Sequence, residues 1–388
     1  MKRVYLDYAA TTPIDKRVLE VMTPYMTDIY GNANSVHSYG REAAAAVDNA
    51  RRTIADCINA KRTEIYFTSG GTEANNWAVK GTAIRYREET GRNHIITTQI
   101  EHPSLLESVK YMEKHGFDVT FLPVDSDGTV KPETLEKALT DKTVLVSVMT
   151  ANNEIGTVQP VKELAETAHR RGALFHTDAV QAMSSMKIDV RDTNADLMSF
   201  SGHKIYGPKG IGVLFVKSGV KPDKFMIGGH QERTMRGGTT NVPAVVGMAE
   251  ALRLTVEEME ENNKKVRALR DRFIERIGAE IPRIRVNGGM KNRVPQNANV
   301  TFEFIEGESL LLSLDLAGIA CSSGSACSSG SLEPSHVLMA IGVPVEIAHG
   351  SIRFTFGKNT EENDVDYVVD VLKREVERLR KMSPLTSL

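Results

Sequence analysis

Ala173-Leu-Phe-His-Thr-Asp-Ala-Val-Gln181 and Leu197-Met-Ser-Phe-Ser-Gly-His-Lys204 each begin as a short apolar run and end in side chains capable of chemistry. A short apolar run followed by turn-forming residues reads as a buried strand. Working outward, comparable runs rich in β-branched residues recur at 64–67, 94–98, 117–122, 144–149 and 211–216. The stretches between them, such as 104–114 and 161–171, carry apolar residues at helical spacing. Strands alternating with amphipathic helices predict an α/β protein: a large domain with a mostly parallel seven-stranded sheet flanked by helices. Sites in such sheets gather at the carboxyl ends of the strands, which is where Asp178 and Lys204 fall.

Downstream, a charged helical pattern over 242–277 leads into a smaller α+β unit with strand-like runs at 298–304 and 351–356 and helical patterns at 309–316 and 363–381. The expected division is a large domain over 15–255 and a small one made of 1–14 and 256–388. Within the latter, residues 321–331 read Cys-Ser-Ser-Gly-Ser-Ala-Cys-Ser-Ser-Gly-Ser, with almost nothing to bury, which predicts a mobile loop.

The chain has 388 residues, 41% hydrophobic and 25% charged, the mix of an ordinary globular protein. Lys and Arg number 48 against 50 Asp and Glu, so no bulk field recommends a nucleic acid or an acidic membrane, and a small-molecule ligand is the default. Three cysteines, at 57, 321 and 327, are too few and too badly spaced for a disulfide framework or a four-cysteine zinc site. Asp7 interrupts the first apolar stretch, and nothing approaches the roughly 20 apolar residues that span a bilayer, so a cytoplasmic protein is expected.

Ser69-Gly70-Gly71-Thr72-Glu73 follows a strand and opens a helical pattern, placing tight-turning glycines and free amides where an anion could sit. Alone it reads better as a glycine turn with a Thr cap, since it lacks both the Walker lysine and the dinucleotide spacing. Lys204 alone reads as a solvated loop lysine, and a carboxylate beside it as a structural ion pair. Together, however, a lysine and Asp178 at one sheet edge are the two groups that pyridoxal phosphate requires: one to bond the cofactor, one to keep its ring nitrogen protonated.

Ser201-Gly-His-Lys-Ile-Tyr-Gly-Pro-Lys-Gly210 with His176-Thr-Asp-Ala-Val-Gln181 resembles the NifS/IscS group of cysteine desulfurases, within the class V aminotransferase-like, fold type I (aspartate aminotransferase-like) pyridoxal phosphate enzymes. The likeness continues at Asp7-Tyr-Ala-Ala-Thr-Thr, the 68–73 cup, Glu101-His102, Asn152-Asn-Glu-Ile-Gly156, Arg236-Gly-Gly-Thr239, Glu306-Gly-Glu-Ser309, Ser323-Gly-Ser-Ala-Cys327 and Ser351-Ile-Arg353. It departs at Ala33, Asn34, Gly71, Thr150, His230 and Thr234, the last two standing where glycines are frequent.

The resemblance implies that Lys204 bonds the cofactor, Asp178 pairs with its ring nitrogen, Gln181 meets the ring oxygen and His102 stacks on the ring and moves protons. It places Gly71, Thr72, Ser201 and His203 at the phosphate, with Thr239 reaching in from the second subunit of a homodimer, and gives the substrate carboxylate to Asn153 and Arg353. Cys327 would take sulfur from L-cysteine as a persulfide, releasing alanine, and pass it to an acceptor protein such as an Fe–S scaffold. No resident metal is implied, though Cys327 could meet an Fe–S cluster during transfer. An aminotransferase or a selenocysteine lyase of the same fold is the alternative activity. Cys57, in a helical pattern with Ala50 and Ile54, reads as a structural thiol, and Cys321 as inert filler or a second sulfur acceptor. Asp125-Ser-Asp-Gly128 reads as a surface turn, and His336 and His349 lack metal-ligand spacing.

Overall fold

The computed structural model describes residues 2–323 and 334–383; the expected sulfur carrier, Cys327, lies outside the described residues. Twelve strands are described: β1 (Val4–Tyr5), β2 (Ile65–Thr68), β3 (His94–Thr98), β4 (Asp118–Leu122), β5 (Thr143–Ser147), β6 (Leu174–Asp178), β7 (Leu197–Ser201), β8 (Gly212–Val216), β9 (Ile284–Val286), β10 (Asn297–Phe302), β11 (Ile319–Ala320) and β12 (Ser351–Thr355). The central sheet has seven strands in the order β2-β8-β7-β6-β5-β3-β4. Strands β7, β6, β5, β3 and β4 pair in parallel, while β8 runs against both neighbours, β7 and β2. The sheet is thus mostly parallel, as its near-continuous apolar strands predict.

Every residue of β3, β5, β7 and β8 is buried, so both faces must be covered. The two-residue period of a strand sorts neighbours onto opposite faces. Ile96, Val146, Met198 and Phe215 join one apolar layer with helices Ser38–Cys57, Val161–Arg170 and Val242–Glu257. Ile95, Leu145, Leu197 and Leu214 join the other, against Trp77 and helix Pro103–Glu113. Trp77 is wholly buried, and its indole N–H is satisfied by the Asp223 carbonyl at 2.8 Å.

A separate apolar cluster packs helices Met259–Glu280, Gly307–Leu316 and Glu362–Met382 over the antiparallel β12-β10-β9 sheet. Strand β1 pairs in parallel with β11, adding the start of the chain to this cluster. The single helical pattern expected over 242–277 is two helices, broken at Glu258, whose backbone (φ −94°, ψ 0°) leaves the helical region. The Glu258 carboxylate is held there by Arg17 at 2.5 Å, with Lys358 at 3.8 Å. The Asp125 segment is a turn: its carboxylate accepts from the amides of Asp127 and Thr129, and Gly128 takes φ +81°.

Candidate active site

A cleft of about 470 Å3 opens at the carboxyl ends of the parallel strands. The segment after β2 supplies Gly71 and Thr72, that after β3 His102, and that after β5 Asn153; β6 ends in Asp178, with Gln181 just beyond, and β7 leads through Ser201 to His203 and Lys204. Arg353, from β12, completes the wall. The structure therefore brings together, from strands scattered over most of the chain, all but two of the residues singled out in the sequence. Cys327 is one exception, being outside the described residues. Thr239 is the other: it is exposed and stands with Ser69, Gly210 and Arg236 in a neighbouring hollow instead of lining its own chain's cleft.

Lys204 sits on a single 3-10 turn, Gly202–Lys204, directly after β7. Its ammonium donates to the backbone carbonyls of Ala9 and Ala10, the latter at 2.8 Å, so the N-terminal segment roofs this side of the cleft. Gln181 Nε2 donates to the same Ala9 carbonyl at 2.9 Å. Asp178 is buried, 6% exposed; one carboxylate oxygen accepts from the Val180 amide at 2.9 Å and the other from Asn75 Nδ2 at 2.7 Å.

His102 caps helix Pro103–Glu113, its Nδ1 accepting from the Ser104 amide at 3.1 Å. Burial is the main force lowering its pKa; Asp178 opposes the shift, and Lys204 and His336 add to it. His203 is pushed down to about 4, by burial first and then by the positive charge of Lys204 and Lys209. Both imidazoles are neutral at pH 7.

The Ser69–Glu73 cup is shaped by close backbone packing. A Cβ on Gly212, the first residue of β8, would lie 2.7 Å from the Gly70 Cα, so only glycine lets the cup rest on that strand. A Cβ on Gly71 would lie 2.9 Å from Val180 Cγ2. Glu73 accepts from the Ser69 amide at 2.7 Å and from two nitrogens of Arg236 at 2.9 and 3.0 Å. Burial alone would raise the Glu73 pKa; the hydrogen bonds from Arg236 and Ser69 hold it below the ordinary value. The loop beyond is anchored by Glu232, which pairs with buried Arg51 at 2.7 Å and accepts from the Phe67 amide. Glu232, Arg233 and Thr234 all have left-handed backbone (φ +44°, +57° and +72°), a conformation suited to the glycine that is frequent at position 234 in the resembling group.

Arg353 is 2% exposed; it donates to the Asn153 carbonyl at 3.0 Å and pairs with Asp7 at 2.9 Å, while its Nε has no partner among the described residues. Sequence reasoning passed over several cleft residues. Glu154 is buried, accepts from the Ser335 hydroxyl and has its pKa raised by burial. His336 lines the cleft with Nε2 at 3.0 Å from the Glu101 carbonyl. Asn75 and Ser104 line it too, and only their adjacency to Asp178 and His102 in the folded chain reveals them. Glu101 is wholly buried, with Oε1 accepting from Thr98 and the Met149 amide and Oε2 without a partner among the described residues; burial pushes it up to about 8, so the protonated form is favoured at neutral pH. Burial pushes the Cys57 thiol up to about 11 and the Cys321 thiol further, which makes both poor nucleophiles.

The donor set fits pyridoxal phosphate on this geometry. A reachable lysine, a buried carboxylate, a glycine cup with hydroxyls at Thr72 and Ser201, and an arginine with an unsatisfied buried nitrogen all border one cleft. By fold and site the protein is a class V pyridoxal phosphate enzyme, and it belongs to the aminotransferase class-V family, whose pattern matches residues 4–368. Among its relatives, the cysteine desulfurase IscS of Clostridium botulinum (strain Hall) is 50% identical over 386 residues, 99% of this chain and 97% of that protein. The cysteine desulfurase IscS of Methanosarcina thermophila is 51% identical over 385 residues, 99% and 95% of the two chains. A solved NifS-like protein superimposes with a TM-score of 0.91 at 38% identity, covering 97% of this chain and all of that one. SspA in complex with cysteine superimposes with a TM-score of 0.81 at 36% identity, over 92% of this chain.

Proposed function

We propose that the protein is a pyridoxal phosphate-dependent L-cysteine desulfurase that supplies sulfur for Fe–S cluster assembly or thiolation. One observation carries the reading: Lys204, Asp178, His102 and Arg353 border a single cleft in a chain half identical, end to end, to relatives named cysteine desulfurase. The bound cofactor supplies an electron sink for the substrate Cα. Lys204 would hold the cofactor and, with its amine freed, take the Cα proton. Asp178 would face the ring nitrogen, Gln181 the ring oxygen, and His102 the ring itself. Gly71, Thr72, Ser201 and His203 would receive the phosphate. Arg353 and Asn153 orient the substrate carboxylate, for which a planar guanidinium suits two parallel hydrogen bonds.

Cys327, as thiolate, attacks the substrate sulfur. An S–S bond forms, the C–S bond breaks with its electron pair going to carbon, and protonation of that carbon yields alanine. The persulfide on Cys327 is then passed to a sulfur-acceptor protein. Thr239, turned away from its own cleft, fits the expected reach into the cleft of a second subunit. The two apolar layers on the central sheet and the separate cluster over β12-β10-β9 support a large domain over 15–255 and a small one from 1–14 and 256–388. A cytoplasmic site of action fits the free thiols and the finding that no described helix is long and apolar enough to cross a membrane.

The test is incubation with L-cysteine and a thiol reductant, with alanine and sulfide measured together, followed by borohydride reduction and peptide mass spectrometry. Equal release of both products and a pyridoxyl adduct on Lys204 are expected. Amino transfer to an added keto acid without sulfide, or an adduct on another lysine, refutes the reading.

A further inference from the structure

The cleft holds a four-residue hydrogen-bond chain. Asn75 Nδ2 donates to Asp178 Oδ2 at 2.7 Å and to Ser104 Oγ at 2.9 Å; Ser104 Oγ lies 2.8 Å from His102 Nδ1, and the Ser104 amide donates to the same Nδ1 at 3.1 Å. Every proton in this chain can be placed. A backbone N–H can only donate, so His102 Nδ1 is an acceptor and carries no proton. The Ser104 hydroxyl, facing a bare Nδ1 on one side and an amide donor on the other, donates to Nδ1 and accepts from Asn75. Asn75 must turn its NH2 toward Asp178, since the flipped amide would set its carbonyl against a carboxylate oxygen. Its Oδ1 is left buried without a partner among the described residues, a cost that this orientation imposes.

We infer that Ser104 and Asn75 are positioning residues that hold His102 as the neutral tautomer with its proton on Nε2, so that His102 serves the cleft as a hydrogen-bond donor and not as a base. The inference rests on the desulfurase reading and narrows it: with Nε2 already protonated and the Nδ1 lone pair taken up by Ser104, His102 turns no free lone pair toward the substrate, and removal of the Cα proton falls to Lys204. The direction of the chain is set at one end by the Asp178 charge and at the other by the first turn of helix Pro103–Glu113, whose free amides favour an unprotonated Nδ1. Among the described residues, Asp178, Lys204, His336 and His203 are titratable groups that act on His102.

The test is the 15N spectrum of histidine-labelled protein, recorded without cofactor and with it, the His102 signals being assigned by their loss in His102→Gln. At pH 7 an unprotonated Nδ1 and a protonated Nε2 are expected in both forms. A protonated Nδ1 in the wild type overturns the inference. Ser104→Ala and Asn75→Ala should each broaden or shift the His102 signals and lower kcat about tenfold, with KM for cysteine within about twofold. Ser104→Thr, which keeps both donors, should restore the spectrum and kcat. Unchanged His102 signals and unchanged kcat in both alanine variants also overturn it. The spectrum of the cofactor-free protein needs no turnover, so it decides the tautomer even if the desulfurase reading itself fails.

Discussion

Replacing Arg353 by lysine separates substrate binding from the rest of the site. A guanidinium has five N–H donors, and here one goes to the Asn153 carbonyl and one to Asp7, leaving three, including the unpartnered Nε. Those remaining donors can make two parallel charge-assisted bonds to a carboxylate. Lysine keeps the positive charge that Asp7 requires, but it offers one compact ammonium, so at most a single contact to the substrate survives. Losing one charge-assisted hydrogen bond costs about 1.5–3 kcal/mol, or roughly 10- to 150-fold in binding. The carboxylate is held before and throughout the reaction, so the loss is expected in KM with kcat largely retained. The assay is alanine release over a range of L-cysteine concentrations, with the cofactor absorbance as a check that the site is loaded. A KM within twofold of wild type would remove Arg353 from substrate recognition.

Cys327→Ser should retain the cofactor absorbance while lowering alanine release from cysteine at least about a thousandfold; retained desulfuration removes the thiol from its assigned role. Glu232→Ala leaves Arg51 buried without its carboxylate and frees the left-handed loop, so unfolding in denaturant should show a loss of about 3–5 kcal/mol, and a loss below about 1 kcal/mol contradicts the anchoring role. Glu101, raised to about 8 from an ordinary value of 4.5, binds more protons folded than unfolded between those values, so wild-type stability falls as pH rises through that window. Glu101→Gln imitates the protonated acid; its melting temperature relative to wild type should therefore climb from pH 5 to pH 8, and a pH-independent difference refutes the assignment.

Much of the large sheet was legible because parallel strands buried on both faces must be apolar throughout, and 94–98, 144–149 and 197–200 advertise this. The reversal of β8 was not, since Ile211–Val216 would read the same in either direction; only pairing with β7 and β2 fixes it. Lys204, Asp178 and Arg353 stood out because such groups at strand ends are chemically conspicuous. Asn75 and Ser104 carry no such signal: short polar residues near helix starts are ordinary, and their meaning comes from a fold that joins two residues 29 positions apart. The break at Glu258 was hidden for a similar reason, as an acidic residue in a charged helix is unremarkable until Arg17 and Lys358, far away in sequence, pull on it.

The pairing of Asp7 with Arg353 joins positions 346 residues apart, and the Lys204 ammonium is met by carbonyls from residues 9 and 10. During synthesis the floor and roof of the cleft thus emerge early, whereas its last wall leaves the ribosome near the end of translation. No nascent fragment presents a finished receptacle: every residue assigned to the vitamin lies before position 240, whereas the guanidinium assigned to the amino acid that is to be cut arrives only with β12.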